Sequence, residues 1–398
     1  MGKQKNDTTK LSLTDEEVSL LEEKIESAGK KAEKESDVVV FVHDRPDPDA
    51  VGSALCMKNI LSEKDVDSVI HYSRESHNYQ NQALFTELQL RNELIRTGSI
   101  ANAETQSGLE DYLKAIKFSI ILDTENFERQ MLGTYRFIKP DIIIDHHNLN
   151  GKIDDALLIN KKSGACVSIL LEYMQNRKSE FPLEGKENQA LRITSYLGIK
   201  TDTANFDEKR MTDLDYKAKE FLEDAMTEDD FEKITRIENP KVPRATRVAY
   251  GKALAEHDFL GDKLIYYAIP NLISDTALPS YIAERLFAEN IGDAVLVMGA
   301  ADTTEDNQRN LEVVASGRSR DSSIDIIDVF ANSFYKIADN GKRVAYSGGR
   351  NSVNDITIAG ASIPFPDHAE HTKEELSSFW DLHTTKYKKR IMNRLQLS

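Results

Sequence analysis

The run Asp141-Ile-Ile-Ile-Asp145-His146-His147-Asn148 constrains this chain more than any other stretch, because an apolar segment ends abruptly in a carboxylate and two imidazoles. Asp141 to Ile144 read as a buried strand. Asp145, His146 and His147 then stand at its exit, the edge where open parallel sheets bind their ligands. A single strand-end histidine is more often a hydrogen-bonding residue than a metal ligand. The rest of the chain repeats the pattern, and the repetition gives it weight.

Val38-Val-Val-Phe-Val42 is a second buried strand, running into His43-Asp44-Arg45-Pro46-Asp47-Pro48-Asp49-Ala-Val-Gly52-Ser53. Two prolines stiffen that loop, Gly52-Ser53 opens a helix, and His43, Asp47 and Asp49 fall within seven positions. Carboxylates this close repel one another, so a divalent cation is their natural compensation; read alone, the loop is also consistent with an acidic helix cap. Strand patterns recur at residues 68–72 and at Phe118-Ser-Ile-Ile-Leu122, the latter delivering Asp123-Thr124-Glu125-Asn126 to the same edge. Ser163-Gly-Ala-Cys-Val-Ser-Ile-Leu170 has the small residues that let a helix start close to a sheet, with Ser163 as its expected N-cap. A helical segment near residues 188–197 then leads into Gly198-Ile-Lys-Thr-Asp202-Thr203, a fourth acidic site after an apolar segment. On its own Asp202 reads as a cap or turn residue.

Composition narrows the classes. At 398 residues the chain is long enough for two domains plus extensions. With 40% hydrophobic and 30% charged residues it reads as globular, and no segment approaches the ~20 apolar residues that cross a bilayer. Asn6 stands where a myristoylation signal requires Ser or Thr, and no signal-peptide core follows, so the cytoplasm is the expected compartment. Cys56 and Cys166 lie among small and apolar residues and read as free buried thiols within helices. The formal charge of −16 argues against wrapping a long nucleic acid, though a local cationic cluster or metal can reverse the field inside a cleft.

Residues 1–36 are polar and charged. Ser12 to Glu17 form a helix start, and Leu20, Leu21 and Ile25 a thin apolar stripe. Asp207 to Ile237 is dense in charge at helical spacing and reads as a connector. Strand patterns resume at 263–269, 293–298 and 312–320, with helices near 279–287 and 324–337 and then Tyr346-Ser347-Gly348-Gly349-Arg350. This is a second α/β domain. A last helix follows Pro366, with Trp380, Tyr387, Ile391 and Leu395 as its apolar side and a basic cluster from Lys386 to Arg390 expected to dock on the protein's own acidic surface.

His43, Asp47, Asp49, Asp123, His146 and Asp202 together offer two nitrogens and four carboxylates. Mixed nitrogen and oxygen donors suit a pair of Mn-like divalent ions, and the absence of ligating cysteines disfavours structural zinc. Two ions ~3.5–4 Å apart under a bridging carboxylate would hold a water as hydroxide for in-line attack on phosphorus. The motifs His43-x-x-Pro46-Asp-x-Asp49-Ala-x-Gly-Ser53, Asp123-Thr, Asp145-His-His147, Gly198-Ile-x-Thr-Asp202-Thr and Ser347-Gly-Gly-Arg350 resemble, in order, those of the DHH-superfamily phosphoesterases. The resemblance is to the RecJ-like branch with a DHH-associated C-terminal domain, which includes the oligoribonuclease and phosphoadenosine-phosphate phosphatase group, and it covers residues 38 to about 366.

That resemblance implies an α/β fold: a mostly parallel N-terminal sheet flanked by helices, a helical connector, and a smaller C-terminal α/β domain with a mixed sheet. The boundaries expected are a helical extension at 1–36, the DHH catalytic domain at 37–207, the connector at 208–244, the substrate-binding domain at 245–366 and a helical tail at 367–398. It further implies that His43, Asp47 and Asp123 hold one metal ion and Asp49, Asp123, His146 and Asp202 the other, with Asp123 bridging. Manganese is the expected ion, with magnesium or cobalt as substitutes. His147 would face the substrate phosphate and Asp145 orient the site from behind. Arg318, Ser347, Gly348, Gly349 and Arg350 would contact phosphate and nucleotide, through backbone amides at the glycines and guanidinium groups at the arginines.

One departure stands out: Arg350 and Ile358-Ala-Gly-Ala-Ser362 replace a family motif ending in His followed by Ala-Ala-Gly. Arginine does not transfer protons near neutral pH, so it should bind phosphate. The expected activity is metal-dependent hydrolysis of short nucleotides: short oligonucleotides, linear or cyclic dinucleotides, or 3'-phosphoadenosine 5'-phosphate. The alternatives are an inorganic pyrophosphatase or exopolyphosphatase, and a catalytically weak nucleotide-binding scaffold. Expected partners are a small nucleotide or short oligonucleotide, with no long duplex and no membrane; a homodimer is a family-level expectation. His368 and His371 stand apart from these motifs and are not counted as a site.

Overall fold

β-branched and aromatic side chains dominate β1 (Val38–Phe41), β2 (Val69–Tyr72), β4 (Phe118–Leu122) and β5 (Ile142–Asp145), and every residue of these strands is buried. A sheet buries its strands so fully only when both faces are covered. Shorter strands β3 (Leu94–Arg96) and β6 (Leu157–Asn160) close the edges of a six-stranded sheet ordered β3-β2-β1-β4-β5-β6, with all neighbours parallel. Alternate side chains divide between two cores. Val38, Val40, Ile120, Leu122, Ile142 and Ile144 face one, whereas Val39, Phe41, Ile121 and Ile143 meet Leu113 in the other.

This computed structural model describes residues 12–73, 78–96, 106–124, 138–147, 155–261, 264–305, 308–337, 343–345, 347–351, 356–364 and 372–396, and for Gly348, Gly349 and Arg350 the backbone alone. Glu125, Asn126, Asn148, Tyr346, His368 and His371, singled out above, lie outside the described residues. The chain divides into two units, Met1–Pro240 and Lys241–Ser398.

The first unit's N-terminal helix, Asp15–Lys31, starts where the sequence indicates, with Thr14 and Glu17 forming a reciprocal capping box. Its buried face differs from the expected stripe. Leu21, Ile25 and Ala28 enter the core, whereas Leu20 is 40% exposed, because residues four and seven apart share a face and adjacent ones do not. In the charge-dense stretch that reads as a connector, helices Asp213–Ala225 and Glu228–Glu238 both open with a Thr capping box and place Leu214, Ala218, Phe221, Leu222, Ile234 and Ile237 in the same core. Asp230, fully buried, is held by Arg192 at 2.9 Å.

In the second unit, β7 (Asp258–Leu260), β8 (Leu264–Ala268), β9 (Ala294–Glu305) and β10 (Gln308–Ser319) are followed by a separate pair, β11 (Tyr335–Ile337) and β12 (Arg343–Ala345), and then β13 (Ser347–Asn351) and β14 (Thr357–Pro364). The sheet order is β13-β14-β10-β9-β8-β7, and only β8 with β9 is parallel among its named pairs, so the sheet is mixed. The helix expected over 324–337 is shorter, Ile326–Ser333, because the chain turns into β11. The tail helix Lys373–Arg394 buries Trp380, Tyr387 and Ile391, and Trp380 Nε1 donates to the Ile269 carbonyl at 2.7 Å. Its basic cluster docks within the unit, with Lys388 on Asp258 and Arg390 donating to the Ser333 carbonyl. Among the described residues no helix is long and apolar enough to cross a membrane.

One buried histidine gives the first unit a pH dependence. His71 of β2 is fully buried, with Nε2 3.2 Å from the Tyr112 hydroxyl and Nδ1 without a partner among the described residues. Burial pushes its pKa down to about 4. Neutral in the folded state and able to charge when unfolded, it contributes stability above pH ~6.5 that is lost as the pH falls through about 4. The loss expected over that window is about 3 kcal/mol. Denaturant melts of the protein and of His71→Gln across pH 7 to 4 check it: the variant should show the shallower decline, and parallel curves would contradict the assignment.

Candidate metal centre

The strand order reverses between β1 and β4, the kind of switch point at whose carboxyl edge open α/β sheets bind their ligands. The chain puts its polar residues there. His43 follows β1, Asp123 follows β4, and Asp145 ends β5 with His146 and His147 next to it. Asp123 adopts φ 49°, a left-handed conformation that costs a non-glycine residue energy, while its amide bonds the Ile144 carbonyl at 3.1 Å.

Two of the six candidate ligands correct the strand-end picture. Asp49 lies in the first turn of helix Pro48–Ser62, whose N-cap is Asp47, and Asp202 is the last residue of helix Gln189–Asp202. Asp47 accepts from the Asp49 and Ala50 amides at 3.1 Å each. After Asp202 the chain leaves the helix through Ala204, Asn205 and Phe206, all with positive φ, a turn that no glycine announces in the sequence. Phe206 is held there against Tyr196, ring centroids 5.1 Å apart. Gly198 lets the two helices meet, because a Cβ at that position would lie 2.8 Å from Asp49 Cα and 3.2 Å from the Pro48 carbonyl oxygen.

The electrostatics centre on His146. Its Nδ1 lies 3.2 Å from the Ser163 carbonyl oxygen, which can only accept, so Nδ1 carries the hydrogen and Nε2 faces inward. Around Nε2 stand Asp123 Oδ1 at 3.4 Å, Asp202 Oδ2 at 3.6 Å and Asp49 Oδ2 at 3.8 Å. Both Nε2 and Asp123 Oδ1 are buried and without a hydrogen-bond partner among the described residues. Burial opposes a charged His146, but Asp123, Asp49 and Asp202 outweigh it and raise its pKa well above the ordinary value. Burial, Asp123 and Asp202 likewise push Asp49 up, although its two oxygens receive the Cys166 and Val167 amides at 2.6 and 2.8 Å. The neighbouring carboxylates contribute to both shifts, a local excess of negative charge that a cation relieves. At His43, burial opposes the proton, yet Asp47, Asp123 and Asp44 raise its pKa to about 9.

Three groups of donors converge to within 4.8 Å: His43, Asp47 and Asp123; Asp49, His146 and Asp202; and Asp123, Asp145, His146 and His147. Orphaned buried polar atoms and a mixed carboxylate and imidazole set suit divalent ions of the Mn, Mg or Co type. Asp145 is occupied differently. It accepts from the Thr124, His146 and His147 amides at 3.0, 2.7 and 2.9 Å and from His147 Nδ1 at 2.8 Å, which leaves it as the anchor of the two histidines. Burial pushes Asp145 up, but the His147 hydrogen bond and its neighbours hold it below the ordinary carboxylate range. Asn160 donates to the His147 carbonyl at 2.8 Å.

The expected second-domain contacts belong to the second unit. Arg318 makes long bonds to the Ser280 carbonyl and Ser316 Oγ at 3.4 and 3.3 Å, and its Nη2 lies 3.3 Å from Glu284. Ser347, Gly348, Gly349 and Arg350 run along the edge strand β13, paired with β14. The expected Ser163 N-cap is also corrected. Helix Val167–Gln175 has Cys166 at its N-cap, and Asp49 satisfies the amides there while Ser163 bonds the Ala165 carbonyl. The residues the sequence reading missed lie in this loop and in Asp215, which accepts from it. The small residues at 163–165 signalled the loop and the Thr212–Asp215 spacing a helix start, but nothing in the sequence joined the two.

Residues 37–199 match the DHH family, N-terminal domain, and this part of the chain is a DHH-family N-terminal domain. An uncharacterized protein of Methanocaldococcus jannaschii is 24% identical over 302 residues, covering 76% of this chain and 56% of that protein, so the chain spans about half the length of the curated relative it matches. An exopolyphosphatase-related protein from Bacteroides fragilis, known from a crystal structure, has the same fold, with a TM-score of 0.56 at 15% identity over 93% of this chain and 98% of that one. RecJ from Thermus thermophilus, solved in complex with Mn2+, aligns at a TM-score of 0.44 and 13% identity over 96% of this chain and 54% of that one.

The close helix approach is testable through its glycine. Gly198→Ala should destabilise the first unit by about 1–3 kcal/mol, because backbone must shift to admit the methyl group. Gly251→Ala, in helix Arg244–Glu256 with nothing within 4 Å of the added carbon, should stabilise its unit by up to about 1 kcal/mol. Thermal unfolding of both variants checks the contrast, and equal effects would contradict it.

Proposed function

We propose that the protein is a metal-dependent phosphoesterase that hydrolyses phosphoester bonds of short nucleotides. The observation that carries this reading is the convergence of Asp49, Asp123 and Asp202 on His146 Nε2, at the ligand-binding edge of a DHH-family domain. In this reading His43, Asp47 and Asp123 hold one divalent ion and Asp49, Asp123, His146 and Asp202 a second, with Asp123 shared. Two bound ions supply Lewis-acid neutralisation of phosphoryl oxygens and lower the pKa of a water toward neutrality.

The chain's own residues do the rest. Asp145 holds His147 through Nδ1, so the ring, 36% exposed, offers Nε2 to an incoming phosphate oxygen. Burial opposes the His147 cation, but the Asp145 hydrogen bond raises its pKa, favouring a form that donates to an anion. In the second unit, Arg318 and the backbone of Ser347 to Arg350 are the proposed contacts for phosphate and nucleotide. Manganese is the ion proposed, by the donor set. A net charge of −16 favours a small substrate over a long duplex.

The test is an assay with and without Mn2+ on a dinucleotide, a cyclic dinucleotide, 3'-phosphoadenosine 5'-phosphate, pyrophosphate and polyphosphate. Mn-dependent turnover of one nucleotide is expected, abolished by chelator and lowered at least about 100-fold in Asp123→Ala. Turnover of pyrophosphate or polyphosphate alone would reassign the protein to the phosphoanhydride chemistry suggested by the exopolyphosphatase-related Bacteroides structure. Nucleotide binding without turnover would make it a scaffold.

A further inference from the structure

Four consecutive amides, Gly164 to Val167, are donated in pairs to two buried carboxylates. Asp49 receives those of Cys166 and Val167. Asp215, from helix Asp213–Ala225, receives those of Gly164 and Ala165 at 2.8 and 3.3 Å. Asp215 also accepts from Ser168 Oγ at 2.6 Å, from the Thr212 amide at 2.7 Å and from Thr212 Oγ1 at 2.8 Å. A carboxylate offers about four acceptor sites, so its capacity is filled, and it is fully buried with nothing left for a ligand. The loop it grips performs two tasks at the metal centre. The Ser163 carbonyl accepts from His146 Nδ1 and thereby aims Nε2, and the next two amides after Ala165 set both oxygens of Asp49.

We infer that Asp215 is a positioning residue for the metal centre, acting through the Ser163–Ser168 loop on His146 and Asp49. This rests on the proposed metal site. Gly164 supports it independently, since a Cβ there would lie 2.8 Å from Asp215 Oδ2, 2.5 Å from Thr203 Cγ2 and 3.1 Å from the Arg210 carbonyl oxygen. Any side chain would therefore push the loop off the carboxylate. The hydrogen bonds of Asp215 go to the loop and to Thr212, so what it orders at the metal centre is the loop. Groups behind metal ligands typically change affinity or activity by about 10–100-fold when removed.

Asp215→Asn keeps the side-chain volume and turns one acceptor oxygen into a donor facing other donors. A natural control is Asp230→Asn, a fully buried aspartate at the same position of the next helix's capping box, bonded to Arg192 and not to the loop. Two readouts are taken on the full chain: Mn2+ affinity by calorimetry, and amide hydrogen exchange over residues 163–168. In Asp215→Asn, Mn2+ affinity should fall by about 10–100-fold and the loop amides exchange faster, while Asp230→Asn lowers stability and leaves both close to the unmodified protein. Unchanged affinity and exchange in Asp215→Asn would overturn the inference, as would an equal loss of affinity in Asp230→Asn. If Asp215→Asn does not fold, Ser168→Ala removes one of the five bonds and should show the same two changes at smaller size; unchanged values there would also overturn it. Failure of the unmodified protein to bind Mn2+ sinks the metal reading instead, and the exchange comparison then decides the positioning alone.

Discussion

Mutual repulsion among buried carboxylates is the constraint from which the first unit is best understood. Buried Asp49 and Asp123 and partly buried Asp202 meet at one imidazole nitrogen, and each would rather be elsewhere. Such an arrangement persists only when surrounding structure over-determines it. Here the determinants are visible: a left-handed backbone at Asp123, two amides on Asp49, and a helix end abutting another helix at Gly198 to bring in Asp202. A divalent cation is the natural relief for such a cluster, which is why it stands as the candidate metal centre.

The parallel sheet supplies rigidity, and the segments beyond it supply aim. Strands β1, β4 and β5 hold their exits in register through ladder hydrogen bonds and two apolar cores. Rotation of each functional side chain is set by shorter-range devices. Asp145 fixes His147, the Ser163 carbonyl fixes His146, and paired amides fix Asp49. These contacts join residues up to 118 positions apart in sequence, which makes the centre a product of the whole unit.

Much of this was legible beforehand because it follows from local pattern. Apolar runs ending in Asp123 or in Asp145-His146-His147 announce strands and their exits, since a strand buried on both faces has no other composition open to it. Thr14 with Glu17 announces a helix start through the capping geometry. Other features carry no such mark. The left-handed run Ala204 to Phe206 contains no glycine, and Leu20 and Leu21 look alike until packing selects one of them. Ser163 looks like a helix cap until Asp49 proves to hold the amides itself.

The sequence by itself determined which elements form, which residue types stand at the strand exits, and hence that a cluster of carboxylates and imidazoles would collect at one edge of a parallel sheet. Periodicity and spacing are local properties, and each strand's apolar pattern dictates its own burial. Only the tertiary structure decided which oxygen faces which nitrogen, that Asp49 and Asp202 come from helices, and that Asp215, whose capping-box spacing with Thr212 announces only a helix start, grips the loop beside the centre. Those choices depend on the separation of groups distant in sequence, and electrostatic and hydrogen-bond energies change steeply over the few ångströms that only packing sets.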